Sequence, residues 1–337
     1  MVDLKTSFMG IELKNPFILG ASNLVTKPEI IKQLEEAGIS AIVYKSLFEE
    51  QINLESIQFD EELNEYANRN PESAKIFPTL KHAGPKEHLL KLKTLKESVS
   101  IPVFASLNAV YDETWVEYAQ LLQETGIDGL EINFYAIPGD FDSDAVSIEK
   151  KQLEIIKKLK KAVSIPISVK LSPFYTNALN FIKKLDDAGV NGFTLFNRFF
   201  QPEINTGEED FYYPFDLSKD KDYQLTLRYT GLLYDNIKGS ICSTRGIYEA
   251  HQAIKLLLAG ADVVQIVSTI YKNGPEHVSQ ILFELSTWME KKGYQSLADF
   301  KGKLSKANLK NPYAYDRAQY VDILMNSEQI LKIGPMI

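Results

Sequence analysis

The chain has 337 residues, 45% hydrophobic and 24% charged, the proportions of a globular protein with a large core, which exclude intrinsic disorder. Its 37 basic and 45 acidic side chains leave a net charge of −8, so nucleic acid is repelled unless the cations cluster. A single cysteine, Cys242, excludes an internal disulfide, and no Cys and His pattern has metal-ligand spacing. A reducing, cytoplasmic setting and no resident metal are expected.

Residues Met1 to Asn15 mix charged and apolar side chains without the apolar segment of a signal peptide. The most apolar stretch, Leu256 to Val267, is too short to span a bilayer and is interrupted by Gly260 and Asp262. The chain therefore reads as soluble. Phe17 to Ala21 is the first strand candidate. A helix pattern ending at Ala37-Gly38 precedes the second, Ala41 to Lys45. The same unit recurs at Thr125-Gly126 before Gly129 to Asn133, at Ala188-Gly189 before Gly192 to Asn197, and at Ala259-Gly260 before Val263 to Ser268. Glycine just past a helix accepts the left-handed conformation that closes the last turn, so each marks a helix-to-strand junction.

Two further strands, Val103 to Asn108 and Ile167 to Lys170, each follow a Val-Ser-Ile-Pro step whose proline sits at the strand edge. Pro102 and Pro166 lie 64 residues apart, and Gly126 and Gly189 lie 63 apart, an internal repeat of two β/α units. Ser240 to Ser243, after a helix over Leu225 to Ile237, completes eight strands. Strict alternation implies an α/β fold, a single (β/α)8 TIM barrel, with an open doubly wound sheet as the alternative. The barrel is assigned to residues 1–304. Residues 305–337 are a C-terminal extension packed on the barrel or on a partner subunit. The long stretches after strand two, Phe48 to Gly84, and after strand six, Phe199 to Tyr223, read as lids over the top face.

In a barrel the last polar residue of each strand faces a shared site. Here those residues are Ser22, Lys45 with Ser46, Asn108, Asn133, Lys170, Asn197, Thr244 with Arg245 and Gly246, and Ser268 with Thr269. No paired carboxylates stand among them. His82 and His88 flank a loop glycine, His251 and His277 fall in helix patterns, and surface or packing roles follow for all four. Lys45 and Lys170 end apolar strands, and a buried cation must meet an anion. Glu131, two residues before Asn133 on the same face, is an internal partner for that role. Thr244-Arg245-Gly246, opening a helix at Ile247, and Ser268-Thr269 occupy the usual phosphate position of this fold. Cations, amides and a phosphate site suit flavin mononucleotide (FMN), whose reduced ring a lysine stabilises. Pyridoxal phosphate stays open.

The segments Asn15-Pro-Phe-Ile-Leu-Gly-Ala-Ser22, Lys45-Ser-Leu-Phe-Glu-Glu-Gln-Ile52, Glu131-Ile-Asn133, Val169-Lys-Leu-Ser-Pro173, Leu195-Phe-Asn197 and Lys291-Lys-Gly-Tyr-Gln-Ser296 together resemble the soluble, class 1 dihydroorotate dehydrogenases. The likeness is closer to a bacterial dihydroorotate dehydrogenase-like branch and runs from about Leu4 to Leu304. It implies FMN, an enzyme of pyrimidine biosynthesis, an electron acceptor of unknown identity and a homodimer. By the resemblance, Ala21, Ser22, Lys45, Ser46, Asn133, Lys170, Thr244, Arg245, Gly246, Ser268 and Thr269 contact flavin; Asn108 joins them from its strand-end position. Lys45, Asn133 and Asn197 reach the substrate. In the family, a base takes a proton from one carbon of dihydroorotate while its neighbour gives hydride to flavin N5.

The chain departs from that pattern at the base. The family's cysteine is absent from Asn133-Phe-Tyr-Ala-Ile-Pro-Gly139, and Tyr135 is the nearest proton-transfer group. As a base, its pKa of about 10 would have to fall by roughly two or three units; as an acid, it needs no shift. Cys242, on strand seven, reads as structural. The usual glycine pair after strand seven is Arg245-Gly246, and the usual Gly-Thr after strand eight is Val267-Ser268. Four readings follow: oxidation of a CH–CH bond in dihydroorotate or a close analogue, reduction of another substrate's C=C bond with Tyr135 as proton donor, a Schiff-base barrel enzyme using Lys170, and a non-enzymatic scaffold.

Overall fold

The structure is a computed structural model that describes residues 2–50, 86–109, 112–135, 141–199 and 201–325. Eight parallel strands close into a barrel: β3 (Phe17–Leu19), β4 (Ala41–Phe48), β5 (Val103–Asn108), β6 (Gly129–Asn133), β7 (Ile167–Leu171), β8 (Gly192–Leu195), β11 (Ser240–Ser243) and β12 (Val263–Ile266). Neighbours pair in chain order, and β12 returns to β3 through Val264 opposite Phe17. The (β/α)8 expectation is met, and the open sheet is excluded.

Helices Pro28–Ala37, Lys86–Ser98, Asp112–Glu124, Ala145–Ala162, Ala178–Asp187, Tyr223–Leu233, Ala250–Ala259 and His277–Lys292 surround the barrel. At the junctions, Gly38, Gly126, Gly189 and Gly260 all have φ between 82 and 119°, the region where a Cβ is penalised. Strand residues alternate between two cores. Leu19, Ile42, Leu130, Ile132 and Val169 face the helices, while Ile18, Val43, Phe104, Cys242 and Val263 fill the barrel's lower interior. An antiparallel hairpin, β1 (Thr6–Phe8) with β2 (Ile11–Leu13), closes the floor. Its Phe8 and Met9 enter where Gly192 has no side chain; a Cβ there would lie 3.0 Å from each.

Several boundaries differ from the sequence reading. Strands one, six and eight stop at Leu19, Leu195 and Ile266, two residues early, because the chain turns outward to build the mouth. The helix after strand seven begins at Ala250 and not at Ile247: the Glu249 N–H donates to Gln252 Oε1 at 2.7 Å, which fixes the first turn there. The helix expected to reach Ile237 ends at Leu233. His88 lies on helix Lys86–Ser98 and not in a loop, with its ring edge-on to Tyr44 at 5.0 Å.

After β8 the chain forms an exposed hairpin, β9 (Glu203–Asn205) with β10 (Asp210–Tyr212), and returns across the mouth. Most of the first lid stretch, residues 51–85, and His82 with it, lies outside the described residues. The C-terminal segment lies on helix Tyr223–Leu233: Lys306 N–H donates to Gly231 O at 2.8 Å, and Arg228 donates to Tyr315 O at 2.9 Å. Among the described residues no helix is long and apolar enough to cross a membrane.

Candidate active site

A cavity of about 750 Å³ opens at the C-terminal ends of the strands, within the range of small-molecule sites. Ala21, Ser22, Lys45, Ser46, Asn133, Tyr135, Lys170, Asn197, Thr244, Arg245 and Ser268 all line it. Three expected residues do not. Asn108 ends β5 opposite Phe48, and Phe48 stands on the wall. Thr269 is fully buried, its hydroxyl donating to Tyr248 O at 3.1 Å and accepting from Asn273 at 3.1 Å. Gly246 lies beneath the returning strand-six loop. Its φ is +61°, and a Cβ there would come within 2.4 Å of Lys219 O, so glycine is what lets the loop pass.

Local backbone irregularity aims Lys45. Pairing between β4 and β5 runs Tyr44 to Ala105 and then jumps to Leu47 opposite Leu107. Lys45 and Ser46 thus share the single opposing Ser106, a bulge that redirects side chains. Ser46 Oγ and Ser106 Oγ share a hydrogen bond of 2.6 Å. Lys45 has no carboxylate within ion-pair distance among the described residues.

Lys170 is differently placed. Glu131, 1% exposed, lies on the adjacent strand with Oε1 3.7 Å from Lys170 Nζ. Its other oxygen accepts from Gln265 at 2.7 Å and from Thr194 at 3.0 Å. A carboxylate so buried is tolerated because it is paired and hydrogen-bonded. The internal ion pair read from the sequence is therefore present, and Lys170 still faces the cavity. Cys242 lies low in the barrel, and burial, reinforced by the Glu131 charge, pushes its thiol well above its ordinary range. Cys242 is absent from the cavity lining.

Three buried polar atoms of cavity-lining residues lack hydrogen-bond partners, Ser22 Oγ among them. Asn133 Oδ1 makes no hydrogen bond, nor does Arg245 Nε. Arg245 adopts φ +78°, uncommon for a residue with a side chain, and its nearest carboxylate oxygen, on Asp222, is 3.9 Å away. Asn197 donates to Phe134 O and Lys170 O, both at 3.4 Å, which fixes its amide between two strands. The Tyr135 ring packs on Phe199 at 4.7 Å, and Phe199 stacks on Phe174 at 5.3 Å.

Sequence reasoning missed Gln265 and Thr194, which hold Glu131, and Arg198 with Phe215 to Ser218, which also line the cavity. Gln265 had left a signal, a lone polar residue in an apolar strand. Phe215 to Ser218 fall in the stretch expected as a lid, but which of its residues meet the cavity depends on how a long excursion returns.

A closed β/α barrel with a cation-lined cavity at the strand C-termini belongs to the TIM-barrel enzymes. Residues 3–289 match the dihydroorotate dehydrogenase family, and the chain belongs to that family of oxidoreductases. The catalytic subunit of dihydroorotate dehydrogenase B (NAD(+)) from Methanocaldococcus jannaschii is 24% identical over 85% of this chain and 94% of its own. Dihydroorotate dehydrogenase A (fumarate) from Lactobacillus delbrueckii subsp. bulgaricus is also 24% identical, over 90% and 99%. The NAD-dependent dihydropyrimidine dehydrogenase subunit PreA of Escherichia coli is 23% identical over 98% and 84%.

Proposed function

We propose that the chain is an FMN-dependent oxidoreductase acting on a CH–CH bond of a small cyclic substrate, dihydroorotate or a close analogue. The observation that carries this reading is one cavity holding Lys45 and Lys170 on separate strands and Arg245 in the turn after strand seven, beside buried polar atoms of Ser22, Asn133 and Arg245 that await partners. The donor set fits the cofactor: cations and hydroxyls at the strand-seven and strand-eight end suit a phosphate, and amides with lysines suit a polar ring.

In this reading Arg245, Thr244 and Ser268 hold the phosphate, and Lys170, steadied by Glu131, sets positive charge at the ring. Lys45 and the amides of Asn133 and Asn197 orient the substrate. When bound, FMN supplies a two-electron acceptor of hydride. Tyr135 Oη, on the cavity wall, carries the accompanying proton. Engagement of the Lys170 ammonium by Glu131 and Gln265 counts against a Schiff base there. Relatives named as subunits make a partner subunit the natural electron acceptor.

The missing thiolate favours a second reading within the same site. A neutral tyrosine donates a proton more readily than it accepts one at neutral pH, so Tyr135 suits reduction of a C=C bond, and the dihydropyrimidine dehydrogenase relative supplies a ring of that kind. The purified protein, loaded with FMN, is expected to be yellow. Anaerobic dihydroorotate or a dihydropyrimidine that bleaches it supports the first direction; reoxidation of the reduced protein by the unsaturated ring alone supports the second. Tyr135→Phe should keep the absorption spectrum and slow flavin reduction or reoxidation by roughly 10²–10⁴. A colourless protein that takes up no FMN refutes both.

A further inference from the structure

Residues 215–218, in the return limb of the strand-six loop (residues 215–222), form one wall of the cavity. Phe215 and Asp216 are exposed, while Leu217 and Ser218 turn inward. Two neutral hydrogen bonds fasten this limb to the turns after strands seven and eight. The Tyr248 hydroxyl donates to Ser218 O, and Ser218 N–H donates to Ser268 Oγ at 3.2 Å. Lys219 O presses on Gly246, and Asp222 approaches Arg245. The limb thus lies directly over Arg245, whose guanidinium Nε is unpartnered.

We propose that residues 215–222 are a latch over the anion end of the cavity, fastened by the Tyr248 hydroxyl, whose opening sets how long a phosphorylated ligand stays bound. The proposal rests on the flavin reading for the ligand's identity. Tyr248 touches neither ring nor substrate positions; it is a positioning residue acting through Ser218. Its backbone carbonyl accepts from Thr269 and meets His277 Nε2 at 2.9 Å. Tyr248→Phe keeps those bonds and removes only the latch hydroxyl.

Release of FMN and of riboflavin, which lacks the phosphate, is measured from the loaded full-length protein by recovery of flavin fluorescence on dilution. In Tyr248→Phe, FMN release should be roughly fivefold faster, the kinetic equivalent of one net hydrogen bond, with riboflavin release unaltered. Unchanged FMN release, or equal acceleration of both flavins, overturns the latch, since general loosening would speed both. If the protein takes up no flavin at all, the flavin reading fails by itself. The latch is then judged by hydrogen exchange at the Ser218 amide of the ligand-free chain: faster exchange in Tyr248→Phe upholds it, and unchanged exchange overturns it.

Discussion

Glu131→Gln isolates the ion pair beneath the cavity. The carboxylate is 1% exposed, accepts from Gln265 and Thr194, and neutralises Lys170, whose side chain is 15% exposed. The substitution keeps the shape and leaves an oxygen to accept from Gln265 and Thr194, but it removes the anion beside Lys170 and turns an amide N–H₂ toward its ammonium. Removing one partner of a buried pair costs about 3–5 kcal/mol, and the slight opening of Lys170 to the cavity places this case near the lower figure. At roughly 2.1 cal/mol/K per residue, 337 residues give an unfolding entropy of about 0.7 kcal/mol/K, so the expected fall in Tm is about 4–7 °C. Differential scanning calorimetry at pH 7 measures it. The double variant Glu131→Leu with Lys170→Met should recover at least half of the loss, because an apolar pair replaces a charge left alone. A Tm within one degree of the wild type in Glu131→Gln would refute the pair as a support of this barrel.

Burial, with the Lys45 charge behind it, holds the His88 pKa down at about 4, below the 6.5 of an unfolded histidine. The unfolded chain takes up this proton first as pH falls, so this stability is complete above pH 6.5 and lost on the way to pH 4, on the order of 3 kcal/mol in all. His88→Leu should flatten the Tm profile across that window, and an unaltered slope would remove His88 as its source. Iodoacetamide should leave Cys242 unmodified in the folded protein and alkylate it fully in denaturant, read by mass spectrometry. Cys242→Ala should keep turnover within a fewfold of wild type, whereas a loss like that of Tyr135→Phe would assign the chemistry to the thiol.

The strands were legible because their punctuation is local. Gly38, Gly126, Gly189 and Gly260 end helices by a backbone requirement that one residue type meets, and Pro102 and Pro166 mark strand starts. The pair of Lys170 with Glu131 was legible because strand periodicity fixes which residues share a face. What stayed hidden depends on contacts between distant segments. The bulge that turns Lys45 is a property of β4 against β5, so neither strand alone records it. Phe48 displaced Asn108 from the wall for the same reason. The helix after strand seven starts at Ala250 because the Gln252 side chain reaches back to Glu249, a three-residue relation that the sequence does contain. The strand-six stretch was legible as a lid over the top face, but which of its residues reach the wall, and Arg198 with them, was not, because loop length says nothing about where a loop comes back.

The floor hairpin has a consequence for traffic. With Phe8 and Met9 wedged against Gly192, the barrel is a sac sealed at one end. Ligands therefore reach the described cavity from the C-terminal side of the strands and not through the floor.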